Sequence, residues 1–189
     1  ASADVYWNGN LLAHHDGGYS VFRVDLTEHL REENLLVIAV DNSVNDRVYP
    51  QMADFTFYGG LYRAVNIICT HACHFDLMDH GSTGIQVTPD VSGRVEIQTR
   101  VCGDQDVEVH FTISGQDDGE VIFSQASSPD TVLTIPAPHL WNGRKDPYLY
   151  TATAELMVHG QAVDRVSARF GIRRFEIDPQ RGFLHNGRE

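Results

Sequence analysis

A two-residue alternation of apolar and polar side chains runs through the second half of this chain and restricts what it can fold into. Val95, Ile97, Thr99 and Val101 alternate with Arg94, Glu96, Gln98 and Arg100. Val107, Val109, Phe111 and Ile113 alternate with Asp106, Glu108, His110 and Thr112. Tyr150, Ala152, Ala154, Leu156 and Val158 alternate with Thr151, Thr153, Glu155 and Met157. Successive side chains of a strand point to opposite faces, so each run lays one face on a core and the other in water, as in a half-exposed antiparallel sheet. Turn residues punctuate the runs at Asn8-Gly9, Gly103-Asp104, Gln116–Gly119 and His159-Gly160. Such pairs join neighbouring strands tightly. The one stretch with helical spacing, Leu26–Glu33, reads as a single turn in a loop.

The chain has 189 residues, enough for one large domain or two small ones with separate cores. A boundary is expected near residues 70–75. Before it, strands are separated by long connections, of which Ser43–Thr56 is the longest; after it, they come regularly with short turns. The second unit, about residues 74–177, matches the roughly 100 residues of an immunoglobulin-like sandwich. The tail from Asp178, DPQRGFLHNGRE, is expected to leave that unit without closing anything.

Composition argues against several functions. The formal net charge is −12, and no cluster of Lys and Arg forms the basic surface that nucleic acid needs. No apolar run approaches the roughly 20 residues that span a bilayer, so no membrane partner is expected. The opening ASADVYWNGN lacks the basic region and apolar stretch of a signal peptide, which leaves the compartment open between cytoplasm and periplasm or exterior. The three cysteines, Cys69, Cys73 and Cys102, are an odd number and argue against a complete disulfide framework. Cys69 closes the apolar run LYRAVNIIC, which reads as a strand; Cys69, His71, Cys73 and His74 have the residue types of a zinc site but not its tight Cys-x-x-Cys knuckles, and no metal is assigned to them.

Candidate catalytic sets are incomplete. In His14-His15-Asp16 the two histidines, if on a strand, face opposite ways and do not share an ion; the segment reads as a polar loop leading into Gly17-Gly18. Asp104/Asp106 and Asp117-Asp118 are the carboxylate pairs that glycoside hydrolysis calls for, yet they sit where hairpin turns use Asp for geometry. No serine lies in a Gly-x-Ser-x-Gly elbow, and no glycine-rich phosphate loop opens a helix. No catalytic residue is assigned.

The stretch DFTFYGGLYR, residues 54–63, stands apart. Asp54 precedes Phe55, Phe57, Tyr58 and Tyr62; rings stack on the apolar faces of sugars while a carboxylate accepts their hydroxyl protons. Gly59-Gly60 lets the backbone approach a neighbour closely or form a bulge. The competing reading makes the rings core, the glycines a bulge and Asp54 a turn cap.

In order and spacing these motifs resemble family 2 of the glycoside hydrolases, which holds β-galactosidases, β-glucuronidases and β-mannosidases. VYWNGNLLAHHDGGYSVFRVDLTEHL and LLVIAVDN are similar to strands of that family's sugar-binding jelly roll, and DFTFYGGLYRAVNI to the signature that ends it. LWNGRKDPYLYTATAEL and RFGIRRFEI resemble the close of its immunoglobulin-like domain, and FLHNGRE the entry to a (β/α)8 barrel. The resemblance implies an all-β chain: part of a galactose-binding-like jelly roll over 1–72, an immunoglobulin-like sandwich over 73–177, and a linker over 178–189 into a barrel that carries both catalytic glutamates. Glu189 is neither of them. It implies a retaining β-glycosidase, first a β-galactosidase and second a β-glucuronidase, in which this region supports its own barrel. Asp54 is the one substrate contact carried over, with Phe55, Phe57, Tyr58, Gly59, Gly60 and Arg63 as its supporting loop, Arg63 anchoring the start of the strand that follows. No cofactor is required; the whole enzyme has room for sodium or magnesium and for homo-oligomers, and its partner is a β-linked carbohydrate. The reading from another class is a free-standing sandwich module that binds carbohydrate or serves adhesion.

Overall fold

The computed structural model describes residues 1–49, 52–79, 81–103, 106–116, 121–127 and 130–189. They form two compact units, Ala1–Ile68 and Cys69–Glu189. The expected all-β class is what the structure has: its regular elements are strands and one 3-10 turn.

The first unit is built on β1 (Ser2–Trp7), β2 (Asn10–Asp16) and β3 (Leu36–Asp41), an antiparallel sheet in the order β2-β1-β3. Asn8 and Gly9, at φ 52° and 85°, form the tight link between β1 and β2. Central β1 buries Ser2, Val5 and Trp7. Its end is clamped to the returning chain: Trp7 Nε1 donates to the His29 carbonyl at 3.0 Å, and the Asn8 side-chain oxygen accepts from Leu35 N at 2.9 Å. The weakly helical stretch is one 3-10 turn, Thr27–His29.

Two expectations fail in this unit. His14, His15 and Asp16 are not a loop but the end of β2, because each pairs with a residue of β1. The apolar run LYRAVNIIC forms no strand, and residues 61–69 are exposed. Sequence supplies strand propensity, but a strand exists only by pairing, and no described strand lies beside this run. Large apolar side chains stay in water as a result, among them Val21, Leu35, Phe55, Leu61 and Ile67.

The second unit is a two-sheet sandwich. One sheet joins β5 (Ile85–Pro89), β6 (Arg94–Thr99) and β10 (Asp130–Thr134) in the order β10-β6-β5. The other joins β8 (Glu108–Ser114), β9 (Val121–Ser127), β11 (Tyr150–Val158) and β12 (Gln161–Phe170) in the order β12-β11-β8-β9. The alternation is realised as expected. Val95, Ile97 and Thr99 of β6 are buried, as are Val109, Phe111 and Ile113 of β8 and every second residue of β11. Small faces large in the ladder: Ala154 lies opposite Phe111, both fully buried. A short pair, β4 (His74–Phe75) with β7 (Val101–Cys102), completes the entry to the unit, where Phe75 N donates to the Asp164 carboxylate of β12 at 2.8 Å.

The tail corrects a third expectation. Far from leaving the sandwich, it forms the hairpin β13 (Phe175–Asp178) and β14 (Gly182–His185). Leu184 is buried, and Asn186 Nδ2 donates to the Trp141 carbonyl at 3.1 Å. The turn is set by Asp178, whose Oδ1 accepts from Gln180 N and Arg181 N, both at 2.8 Å.

Candidate functional site

Asp54 lies in the irregular stretch that follows β3, and it is exposed. Among the described residues its carboxylate has no hydrogen-bond or ion-pair partner, so it is free to receive hydroxyl donors. The rings beside it do not enter a core: Phe55 is 61% exposed and Tyr58 75%. Phe55 and Phe57 tilt against each other with centroids 4.9 Å apart.

What holds this loop comes from two places. Asn42, the residue after β3, donates from Nδ2 to the Phe57 carbonyl at 2.7 Å. A side-chain carbon on Gly59 would stand 3.3 Å from Asn42 Cβ, so this glycine serves close approach, and Gly60 follows at φ 83°. Further on, the Tyr62 hydroxyl reaches the Gly18 carbonyl at 3.5 Å. Arg63 was expected to anchor the start of a strand; with no strand there, its guanidinium lies 5.8 Å from the Tyr19 ring centroid and 5.9 Å from that of Tyr62. The loop is therefore tied at Phe57–Gly59 and again at Tyr62–Arg63. Sequence reasoning missed Asn42. The signal was the triplet Asp41-Asn42-Ser43 closing a strand, residue types that hydrogen-bond nearby backbone.

A chain of charges crosses the same sheet. His14 Nδ1 lies 2.6 Å from Asp4 of the neighbouring strand, and its Nε2 lies 3.3 Å from Asp16. Asp16 in turn meets Arg47 Nε at 3.3 Å. The hydrogen bond to Asp4 is the main reason the His14 pKa is raised; slight desolvation opposes it, and the charges of Asp16 and Asp4 add to it. Partial desolvation alone would raise the Asp16 carboxyl, but the hydrogen bond and charge of Arg47, with those of His14, outweigh it and hold it below its ordinary value. His15 faces away and stacks on Phe22 with centroids 4.3 Å apart, as opposite faces of a strand require.

The remaining candidates do not converge. Cys73 is buried beside Phe75, Cys69 is exposed and Cys102 half-buried; all three are free. His71 Nδ1 accepts from Cys73 N at 3.1 Å, and His74 Nδ1 lies 2.9 Å from the His71 carbonyl. Burial, then the Asp76 charge, pushes the Cys102 thiol pKa up, which makes it a poor nucleophile. Of the carboxylate pairs, Asp106 is exposed, while Asp104, Asp117, Asp118 and the neighbouring Gly119 lie outside the described residues. Glu189 receives Arg181 Nε at 3.0 Å. In the second unit His139 bonds Asp146 at 2.7 Å and stacks on Tyr148 at 4.1 Å. There the His139 backbone N–H donates to the Tyr150 hydroxyl at 2.8 Å, so the cluster is knitted into the loop that crosses the sandwich.

The model of the glycosyl hydrolases family 2 matches residues 83–173. A β-glucuronidase of Bacteroides fragilis is 28% identical across 98% of this chain. These matches support glycosyl hydrolase family 2 as the family of this chain. A β-galactosidase of Thermoanaerobacter pseudethanolicus is 26% identical, again over 98% of the chain. The crystal structure of an FMN-binding β-glucuronidase from Facaelibacterium prausnitzii L2-6 superposes with a TM-score of 0.87 at 36% identity over 98% of the chain. The chain spans 29% and 26% of the two curated relatives and 30% of the crystallised one.

Proposed function

We propose that this chain is a non-catalytic region of a retaining β-glycosidase that removes terminal β-linked sugars, and that Asp54 reaches the substrate. One observation carries the reading: similarity to family 2 glycosidases extends over 98% of the chain but under a third of each relative. Hydrolysis with retention needs two carboxyl groups roughly 5 Å apart across the glycosidic bond, one to protonate the leaving oxygen and one to attack the anomeric carbon. No assigned residue of this chain forms that pair, so the two glutamates belong to a barrel in the rest of the whole protein. Asp54 contributes hydrogen bonds to sugar hydroxyls, which assist the reaction only when the barrel holds the same sugar. Its free, exposed carboxylate on a tethered loop supports that role.

A galactoside is the first substrate of this reading. A glucuronide is the second, favoured by the names of the Bacteroides relative and of the crystallised neighbour. The whole enzyme assayed on nitrophenyl β-galactoside and β-glucuronide will separate them. Replacing Asp54→Ala should lower kcat/KM on the better substrate by about 10- to 100-fold, the worth of a charged hydrogen bond, with Tm unchanged. The 189-residue chain alone should hydrolyse neither sugar. Full activity in the Asp54 variant would remove the substrate contact, and turnover by the chain alone would remove the non-catalytic reading.

A further inference from the structure

We infer that Asn42 is a positioning residue that sets where Asp54 stands, an inference that rests on the reading of Asp54 as a substrate contact. Asn42 occupies a well-braced place. It follows the last residue of β3, and the turn after it is locked because Asp41 accepts from Ser43 N at 2.8 Å and from the Ser43 hydroxyl at 2.9 Å. From there its carboxamide donates to the Phe57 carbonyl at 2.7 Å, across 15 residues of chain. Among the described residues this is the one polar link between residues 52–60 and the end of β3. Gly59 closes the same contact from the other side, since any side chain there would press on Asn42 at 3.3 Å. Asp54 is three residues before Phe57, within a loop that has no ladder pairing and little burial to hold it. Without the carboxamide, the nearest remaining ties to the sheet side among the described residues flank the loop on both sides, at Arg47, which meets Asp16 seven residues before Asp54, and at Tyr62, which reaches Gly18 eight residues after it. A carboxylate on so loose a loop loses the registration that a substrate hydroxyl needs, and a displacement of about 1 Å is enough to cost on the order of 100-fold.

Asn42→Asp is the sharpest test. It keeps the shape but replaces the N–H donor by an oxygen that repels the Phe57 carbonyl. In the whole enzyme we expect kcat/KM to fall at least 10-fold with this change. In an Asp54→Ala background the same change should cost nothing further, because the group it positions is already gone. Gly59→Ala provides a second route to the same displacement and should show the same non-additivity, which covers the case in which the Asn42 variant fails to fold. A merely structural role would lower activity equally in both backgrounds. Losses that multiply, or an Asn42 variant with normal activity beside an impaired Asp54→Ala enzyme, would overturn the positioning role. An Asp54→Ala enzyme with normal activity would instead overturn the substrate contact on which it rests.

Discussion

His14 shows how much a single residue on this sheet depends on its cross-strand neighbour. Asp4 lies directly opposite it in the β1–β2 ladder, and both imidazole nitrogens meet carboxylates. Two acceptors favour the form in which both nitrogens carry protons. Since the folded pKa is raised above 6.5, the pair stabilises the fold fully below that value and ceases to do so as pH rises through the folded value. An NMR titration should find His14 protonating above the ordinary histidine value, and Asp4→Asn should return it toward that value. A His14 that titrates identically in both proteins would show that the contact does not form in solution. The contact was invisible in the sequence because Asp4 and His14 come together only once the Asn8-Gly9 turn sets the register. The reading of His14-His15-Asp16 as a loop failed for that reason. Its corollary, that the two histidines face apart, survived because it needs only the geometry of one strand.

At the scale of elements, turns are decided by backbone chemistry and are therefore testable one residue at a time. Gly93 sits at φ 91° in the connection between β5 and β6 and exchanges backbone bonds with Asp90 and Ile135, both at 2.9 Å. A side-chain carbon there would stand 2.2 Å from the Ile135 carbonyl oxygen. Gly93→Ala should therefore cost roughly 2–3 kcal/mol of the second unit's stability, from backbone strain plus displacement of β10. A urea melt showing less than about 0.5 kcal/mol would mean that the turn relaxes freely. The tail hairpin was missed although its turn signal was present. Asp178-Pro179 followed by Gly182 marks a turn, and Glu176 alternates with Phe175 and Ile177. What sequence did not disclose was that Leu184 finds a core and Asn186 finds the Trp141 carbonyl, 45 residues away. The opposite error occurred at residues 61–69, where β-branched and apolar residues announce a strand that has no described partner.

Across the whole molecule, the two units differ in how well they bury what the sequence provides. The second has a continuous core from Phe75 to Ile172, with Val95, Ile97, Phe111 and Leu156 fully enclosed. The first has a three-stranded sheet, an unpaired apolar run and many exposed rings and aliphatic side chains. Exposed apolar patches and unpaired strands seek partners, while a net charge of −12 opposes the approach of two copies. At moderate salt, where that repulsion is screened, the isolated chain should self-associate. Size-exclusion chromatography coupled to light scattering should then give a mass that rises with protein concentration. A compact, concentration-independent monomer would refute this.

Sequence by itself determined the all-β class, the buried faces of β6, β8 and β11, and the tight turn at Asn8-Gly9. These follow from side-chain alternation and local backbone preference, which each segment carries without reference to the rest. The ordered motifs also carried the family. Only the tertiary structure decided that His14 meets Asp4, that the tail folds back, that residues 61–69 remain unpaired and that Asn42 grips the loop of Asp54. Each depends on groups distant in sequence meeting within a few ångströms, and such a meeting is set by register and packing, which no local pattern encodes.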